Sequence, residues 1–324
     1  MKTLPHVLTR LLAAALLCAP LVSFAQQYPT GPVRVVVPFP AGSGVDLVAR
    51  IVVGRINTAL GQPLIFENRV GAGGNVGTEY AAKAPKDGYT LLFNATQLVG
   101  NPGLGKVGYD AVKDFAPITL VSRIPALLVV PADSPVKTVA DLIALARAKS
   151  GALSYASGGN GGIGHFAGEL FKANGGNLNI VHVPYKSAAD QVLAVVTNTT
   201  QLAFPAIQIG LPQVRAGKVR AIGVTGARRS AALPDVPTMM EAMSPGFVLD
   251  AWYGLLAPVG TSADIVNRLN AEVVKVLREP AVREVLLKDS HDIVGSTPAE
   301  FAATIVHDLK VWGDLAIKLG ARVD

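Results

Sequence analysis

Hydrophobic and polar positions along the chain follow two periods, that of a strand and that of a helix. Runs rich in β-branched residues, such as Arg34–Val37, are typical of buried strands. The segment Asp46–Leu60 has apolar residues three or four positions apart, which indicates an amphipathic helix, and Gly61 with Pro63 predicts its end. The strands predicted in this way are 34–37, 64–67, 90–93, 118–121, 127–130, 153–156, 180–183, 201–204, 221–224 and 252–257.

Pairs of polar residues three positions apart mark the starts of several helices. Three pairs have the spacing of a helix cap with an acidic third residue: Thr138 with Asp141, Thr261 with Asp264, and Thr297 with Glu300. Proline at 298 suits the first helical position. The helices predicted are 46–60, 75–83, 138–148, 165–173, 188–196, 261–278 and one that begins after Thr297.

This alternation of strands and helices defines the fold class. Apolar strands that alternate with helices predict parallel sheets covered on both faces. The alternation is too long and too irregular for one sheet, so we expect an α/β protein of two domains, each a mostly parallel sheet flanked by helices. The chain is expected to cross near Pro131–Pro135 and to return near Ser244–Asp250. Domain 1 would then comprise residues 26–130 and 251–324, and domain 2 residues 131–250.

The first 25 residues have the pattern of a secretory signal peptide. Lys2 and Arg10 precede the apolar run Leu11–Val22, which is short for a membrane span, and Ser23-Phe24-Ala25 is a small-x-small cleavage site. We therefore expect cleavage after this tripeptide and export to the periplasm. The single cysteine, Cys18, lies in this segment, so the mature chain is expected to have neither disulfides nor thiol catalysis.

Charge and hydropathy exclude several classes of partner. The formal net charge is +6 for the whole chain, and removal of Lys2 and Arg10 with the signal segment leaves a mild charge of about +4. No dense cluster of Lys and Arg with interleaved aromatic residues occurs, so nucleic acid is not an expected partner. After the signal segment, no apolar run is long and charge-free enough to span a membrane. The mature protein is therefore not expected to be embedded in one.

Motifs for cofactors and metals are incomplete. The segment Gly71–Gly77 resembles a dinucleotide-binding loop, but Val76 stands at the position of the third glycine, and no Walker lysine pattern occurs. His165 and Glu169 have the spacing to share a helix face, but no second His or Cys joins them at ligand spacing. No cofactor and no metal is predicted.

Loops that follow strands are the expected ligand-binding regions, because ligands of open α/β folds bind beyond the carboxyl ends of the strands. Four such loops are rich in small or polar residues: Pro38–Asp46, Asn94–Gln97, Ser157–Gly164 and Pro184–Ser187. Small residues let the backbone approach a ligand, and the free amides at a helix start bind carboxylate or phosphate without arginine. Two loops from each domain predict a ligand held between the domains.

Two side chains in these loops have alternative interpretations. Asp46 either caps its own helix or contacts an ammonium or hydroxyl group of the ligand. Ser157 with His165 could serve an exported hydrolase of carboxylate esters, although the sequence offers no Gly-x-Ser-x-Gly elbow and no third orienting acid. A binding protein is therefore favoured over an enzyme, and a ligand-sensing receptor is a further alternative.

Long segments of the chain, from Tyr28 to its end, resemble the Bug-type extracytoplasmic solute receptors, the binding proteins of tripartite tricarboxylate transporters. The segments that carry the resemblance are PFPAGSGVDLVAR, FENRVGAGGNVGTEYAAKAPKDGYTLLF, YDAVKDFAPITLV, YASGGNGGIGHFAGELFK, VPYK and GKVRAIGVTGARRSAALPDVPTMMEA. The resemblance implies a Venus-flytrap fold with a small carboxylate in the interdomain cleft, such as a dicarboxylate, an aromatic acid or an amino acid. It also implies delivery of that acid to the membrane permease subunits of the transporter.

The match to the family is closest in the first, third and fourth loops, and it has departures. Ser43 and Ser187 replace glycines that are usual in the family, and Phe204-Pro205-Ala206 ends its strand without the usual acid. The ligand therefore cannot be taken from relatives. The residues predicted to contact it are Phe39, Pro40, Ala41, Gly42, Ser43, Asp46, Ala95, Thr96, Ser157, Gly158, Asn160, Gly161, His165, Tyr185, Phe204 and Pro205.

Overall fold

The structure is a computed structural model that describes residues 28–318. The strands are β1 Val33–Val37, β2 Leu64–Asn68, β3 Thr90–Ala95, β4 Phe115–Pro125, β5 Leu127–Pro131, β6 Leu153–Ser157, β7 Ile180–Pro184, β8 Leu202–Ala203, β9 Val219–Val224, β10 Asp250–Pro258 and β11 Asp292–Ile293. The predicted signal peptide, with Cys18, lies outside the described residues.

The helices cover both sheets and supply the residues at the ends of the strands. They are α1 Gly44–Val52, α2 Asn57–Leu60, α3 Asn75–Ala82, α4 Gln97–Leu104, α5 Val139–Ala148, α6 Ile163–Asn174, α7 Ala188–Val196, α8 Ile207–Arg215, α9 Met239–Ala242, α10 Ala263–Leu277, α11 Pro280–Lys288 and α12 Pro298–Lys318, with 3₁₀ turns at Val53–Ile56 and Ala72–Gly74. None of the helices in this part of the chain has the length and apolar character needed to cross a membrane.

The strands form two sheets flanked by helices, as the alternation predicts. One sheet has the order β11-β4-β10-β3-β1-β2 and the other β7-β6-β8-β5-β9. Both sheets are mixed: β1 is parallel to β2 and β3, and β6 is parallel to β7 and β8, whereas β10 and β5 run antiparallel to their neighbours. This antiparallel share is larger than expected, because β5 and β10 arrive from the other sheet without the helical crossover that parallel neighbours require.

Two connections join the sheets, and one side chain ties them together. The chain crosses at Ala126, between β4 and β5, and returns after Val224. The Thr225 hydroxyl accepts a hydrogen bond from the Ala126 amide at 2.8 Å and donates one to the Leu249 carbonyl at 2.6 Å. Strand β5, residues 127–131, belongs to the second sheet, so the chain passes from the first sheet to the second before this strand. The sequence analysis instead expects that passage after residue 130.

Most helix ends are determined by capping residues close to them in the sequence. Gly61 ends α2 in the left-handed conformation, with φ 68°, and the capping box at Thr138 is confirmed. The predicted single helix 46–60 is wrong in its middle, because a 3₁₀ turn separates α1 from α2. The predicted cap at Thr261 is also wrong: Ser262 accepts from the Ile265 amide and starts α10 one residue later.

Four helices, α4, α8, α9 and α11, and one short strand have no counterpart in the sequence prediction. Helices α4 and α8 contain Pro102 and Pro212 near their middles, and these prolines hide the helical pattern. Helix α11 begins with Pro280, and β11 has only two residues. Two of these helices matter for function, since α4 and α8 begin at the cleft described next.

Candidate functional site

Two neighbouring cavities lie between the loops of the two sheets. The inner cavity has a volume of about 110 Å³ and the outer cavity about 830 Å³. Both are lined by the first loop, through Phe39 and Pro40, and by Gly158, Gly159 and Lys186 from the second sheet. Since loops of both sheets line each cavity, this is a cleft of the kind that the sequence predicts between two domains.

The N-termini of five helices meet at the inner cavity. Helices α1 and α4 approach from the first sheet, and α6, α7 and α8 from the second. The first amides of a helix have no partner inside it and carry a partial positive charge, so each of these ends attracts an anion. The N-terminal residues that line the inner cavity are Ser43, Gly44, Val45, Thr96, Gln97, Gly162, Ile163, Gly164, Ser187, Ala188 and Ala206.

Local sequence explains why these helices begin at the cleft. Ser43 and Ser187 are N-caps, whose hydroxyls accept from the amides of Asp46 at 3.4 Å and Asp190 at 3.2 Å. Each cap bonds the third helical amide, so the first two amides of the helix remain available to a ligand. Gly162 caps α6 without a side-chain bond, which leaves the amides at the start of that helix open as well.

The lining of both cavities favours an anion. Within residues 28–318, no Asp or Glu lines either cavity. Lys186 lines both cavities and Lys106 lines the outer one, and both side chains are exposed. The outer cavity also has apolar walls that include Phe39, Leu104 and Tyr185. The site therefore joins a small cavity at the helix ends to a larger cavity with apolar walls.

Buried polar side chains at the inner cavity have unused hydrogen-bonding capacity. Thr96 Oγ1, Gln97 Oε1 and Gln191 Oε1 are buried and have no hydrogen-bond partner among the described residues. The Tyr253 hydroxyl accepts from Gln208 Nε2 at 2.7 Å, so its own proton is free to donate. Burial raises the pKa of Tyr253 to about 12, which keeps that proton in place.

Asp46 organises the first loop rather than lining a cavity. Its carboxylate is buried and accepts from the Gly42 amide, Arg50 Nε and Asn68 Nδ2, each at 2.9 Å. Asn68 also donates to the Phe39 carbonyl at 2.9 Å. Burial alone would raise the pKa of Asp46, but the three donors outweigh burial and hold it below its ordinary value. The carboxylate therefore stays charged and fixes the loop that carries Phe39 and Pro40.

A buried polar cluster supports the third loop from beneath. Ser157 Oγ lies 2.7 Å from His182 Nε2, and the His182 ring stacks between Tyr155 and His165 with ring centroids 4.7 and 4.4 Å away. The Gly161 amide donates to His165 Nδ1 at 3.3 Å. Burial lowers the pKa of His165 to about 4 and that of His182 to about 3, so both rings are neutral near pH 7.

The hydrolase hypothesis gains no support from this cluster. Ser157 is fully buried and lines neither cavity, and its hydroxyl bonds His182 rather than His165. Glu169 bonds Tyr155 at 2.8 Å and Lys172 at 2.8 Å, so it does not orient the histidine that faces the serine. The geometry is that of a packed support for the loop.

The structure brings half of the predicted contact residues to the cavities. Those that line one or both cavities are Phe39, Pro40, Ser43, Ala95, Thr96, Gly158, Asn160 and Tyr185. Those that line neither cavity are Ala41, Gly42, Asp46, Ser157, Gly161, His165, Phe204 and Pro205. Ala41 and Gly42 are exposed at the turn, and Gly42 has a φ of 77° that suits glycine.

Phe204 and Pro205 belong to the packing beneath the site. Phe204 is fully buried against Phe171 and Phe247, with ring centroids 5.9 and 6.4 Å away. The Pro205 carbonyl accepts from the Leu127 amide at 2.9 Å. Ala206, which follows Pro205 and caps α8, lines the inner cavity.

Several cavity residues are not among those predicted from the sequence. Gln97 directly follows the predicted loop residues, and Gln191 lies in the first turn of a predicted helix whose inward face could have indicated it. Tyr253 is on β10, far along the chain from every loop, and its hydroxyl bonds Gln208 of an unpredicted helix. Their positions depend on contacts between distant segments.

The family model for the "Tripartite tricarboxylate transporter family receptor" matches residues 48–321. The protein BugT of Bordetella pertussis is 31% identical over 327 residues, which cover 100% of this chain and 99% of that protein. Two solved structures from R. palustris are also similar. Rpa4515 with adipate has 33% identity and a TM-score of 0.86, covering 90% of this chain and 98% of that one. MatC with bound malate has 31% identity and a TM-score of 0.84, covering 89% and 99%.

The resemblance to Bug-type receptors is thereby confirmed over most of the chain, and the two-sheet architecture agrees with that of periplasmic binding proteins. The family and its structural neighbours are binding proteins rather than enzymes. The chain belongs to the family of tripartite tricarboxylate transporter receptors, which are solute-binding proteins.

Proposed function

We propose that this protein captures a small carboxylate in the inner cavity and delivers it to the membrane permease subunits of a tripartite tricarboxylate transporter. The observation that carries the proposal is the meeting of five helix N-termini at a cavity without an acidic side chain. Such ends bind carboxylate through free amides. The adipate and malate bound by similar proteins support the same ligand class.

The arrangement of the cavities also supports a closing motion. A ligand that contacts helix ends from both sheets stabilises the closed form of the cleft, because only that form offers both sets of contacts. Thr225 bonds both connections between the sheets, which makes this point the proposed hinge. The periplasm is the proposed location, with residues 1–25 as the signal peptide.

A thermal-shift screen with the purified protein tests the ligand class. The panel contains dicarboxylates, tricarboxylates, aromatic acids, amino acids and neutral sugars. An acid at about a hundred times its dissociation constant stabilises the folded state by roughly 2.7 kcal/mol, which raises the melting temperature measurably. A shift with neutral sugars alone, or with no acid at all, would contradict the proposal.

The variant Gly44→Ala locates the site. Gly44 lines the inner cavity, and a Cβ added to it would overlap with Gln208 Nε2 and lie 3.1 Å from the Tyr253 hydroxyl. We expect affinity for the acid to fall at least about tenfold, since the carboxylate loses room at the end of α1, while alanine is well tolerated in a helix. Gly246→Ala is the matched control, because a Cβ there meets open space.

A further inference from the structure

The inner cavity has more hydrogen-bonding capacity than a carboxylate can use. A carboxylate offers about four lone-pair sites. The first amides of α1, α6 and α7 supply five N–H groups to the lining, from Gly44, Val45, Ile163, Gly164 and Ala188. The backbone alone therefore satisfies the carboxylate, and the polar side chains of the cavity are left for another group of the ligand.

Those side chains form a set of neutral polar groups. Thr96 is 1% exposed and Gln191 is 3% exposed, and each has a buried side-chain oxygen without a partner among residues 28–318. Gln97 Oε1 is also buried and has no hydrogen-bond partner among these residues. Leaving such groups buried and unpaired is unfavourable. The Gln191 amide offers an oxygen acceptor in one orientation and an N–H donor in the other, so a partner that both donates and accepts suits either orientation.

A hydroxyl group meets this requirement, because it donates and accepts. An ammonium group does not, for two reasons. It only donates, and it carries a positive charge into a cavity that already has helix N-termini and the Lys186 side chain. The nearby carboxylates do not offset that charge: Asp46 is engaged with Arg50, and Asp190 is exposed and accepts from the Ser187 hydroxyl at 2.8 Å.

Resting on the proposed function, we infer that the preferred ligand is a hydroxy acid, with a hydroxyl close to the carboxylate, and that Gln191 selects for it. Gln191 reaches the cavity from the first turn of α7, next to the cap of the same helix end that binds the carboxylate. The hydroxyl of the ligand would therefore lie on a carbon close to that carboxylate.

Calorimetric titration of matched acids tests the inference. Two sets serve: succinate, malate and aspartate, and propionate, lactate and alanine, with both enantiomers of each chiral acid. In at least one set we expect the hydroxy acid to bind about tenfold or more tightly than its unsubstituted and amino counterparts, since a site built for a hydroxyl rejects analogues that leave its groups unpaired. Equal affinities within the sets that bind would overturn the inference and leave the proposed function intact.

Two variants assign the selectivity to Gln191. Gln191→Leu should remove the preference for the hydroxy acid by weakening that acid alone, whereas Gln191→Glu should move the preference toward the amino acid by adding a negative charge. Gln213→Leu on α8 is the control, because Gln213 lines neither cavity. A preference that persists in Gln191→Leu would overturn the assignment, and failure of every acid to bind would overturn the proposed function together with the inference. Melting curves of each variant verify folding.

Discussion

At the scale of single residues, Asp46 shows how one charge can shape a ligand site without lining it. Its carboxylate holds the turn through the Gly42 amide and anchors Asn68, which in turn holds the carbonyl of Phe39. Arg50 completes the set from one turn along α1. The cavity residues of the first loop are thus positioned by a network around a buried carboxylate that lies behind them.

The variant Asp46→Asn should lower both stability and affinity. Hydrogen bonds to a charged group contribute about 1.5–3 kcal/mol, and the neutral amide also leaves donors poorly paired. We expect the free energy of unfolding, from urea titration, to fall by about 1–3 kcal/mol, and the affinity for the acid to fall with the loosened loop. Asp133→Asn is the control, since Asp133 is exposed. Unchanged stability in Asp46→Asn would contradict this role.

At the scale of single residues, the sequence predicts only part of the site. It places Thr96 and Gly158 in ligand loops, because small and polar residues after strands are a local signal. It also selects Ser157 and His165, whose residue types suit chemistry, although both are buried in support of the loop. A sequence cannot show that Tyr253 reaches the same cavity, because that contact joins β10 to loops far away along the chain.

At the scale of elements, local capping is the most predictable feature and interhelical packing the least. The capping box of α5 involves only Thr138 and Asp141, and it is readable from their spacing. Helix α4 is different: a Cβ on Gly103 would lie 3.0 Å from the Gly313 backbone, so this helix depends on close packing against α12. Such helices are stabilised by contacts with segments far away in the chain, and the hydrophobic periodicity of the sequence does not reveal those contacts.

The variant Thr138→Ala separates stability from binding. Loss of the N-cap of α5 should lower the free energy of unfolding by about 1 kcal/mol, measured by urea titration. The affinity for the acid should stay the same by calorimetry, because no residue of α5 lines a cavity. Thr304→Ala, inside α12, is the control that should cost little. A weaker affinity in Thr138→Ala would mean that stability and binding are coupled through the second sheet.

At the scale of the whole molecule, buried neutral histidines link stability to pH. Burial lowers the pKa of His165 to about 4, of His182 to about 3 and of His291 to about 4. Glu169 and Lys172 are the charged groups that act on the first of these, and Ser122 Oγ bonds the His291 ring at 2.9 Å. His182 lies in β7 with His165 stacked on it, whereas His291 directly precedes β11 of the other sheet, so protonation affects both sheets.

The sign of the effect follows from proton binding. Between about pH 6.5 and 4, the unfolded chain binds protons on these histidines and the folded chain does not, so the free energy of unfolding decreases as the pH falls. The decrease is about 1.4 kcal/mol per pH unit for each histidine that titrates only in the unfolded chain. Urea titrations at pH 7, 6, 5 and 4 measure the slope. His291→Gln should reduce it, because that ring is held neutral by burial in the folded chain. A free energy that stays level from pH 7 to pH 5 would show that these rings are not held neutral by burial.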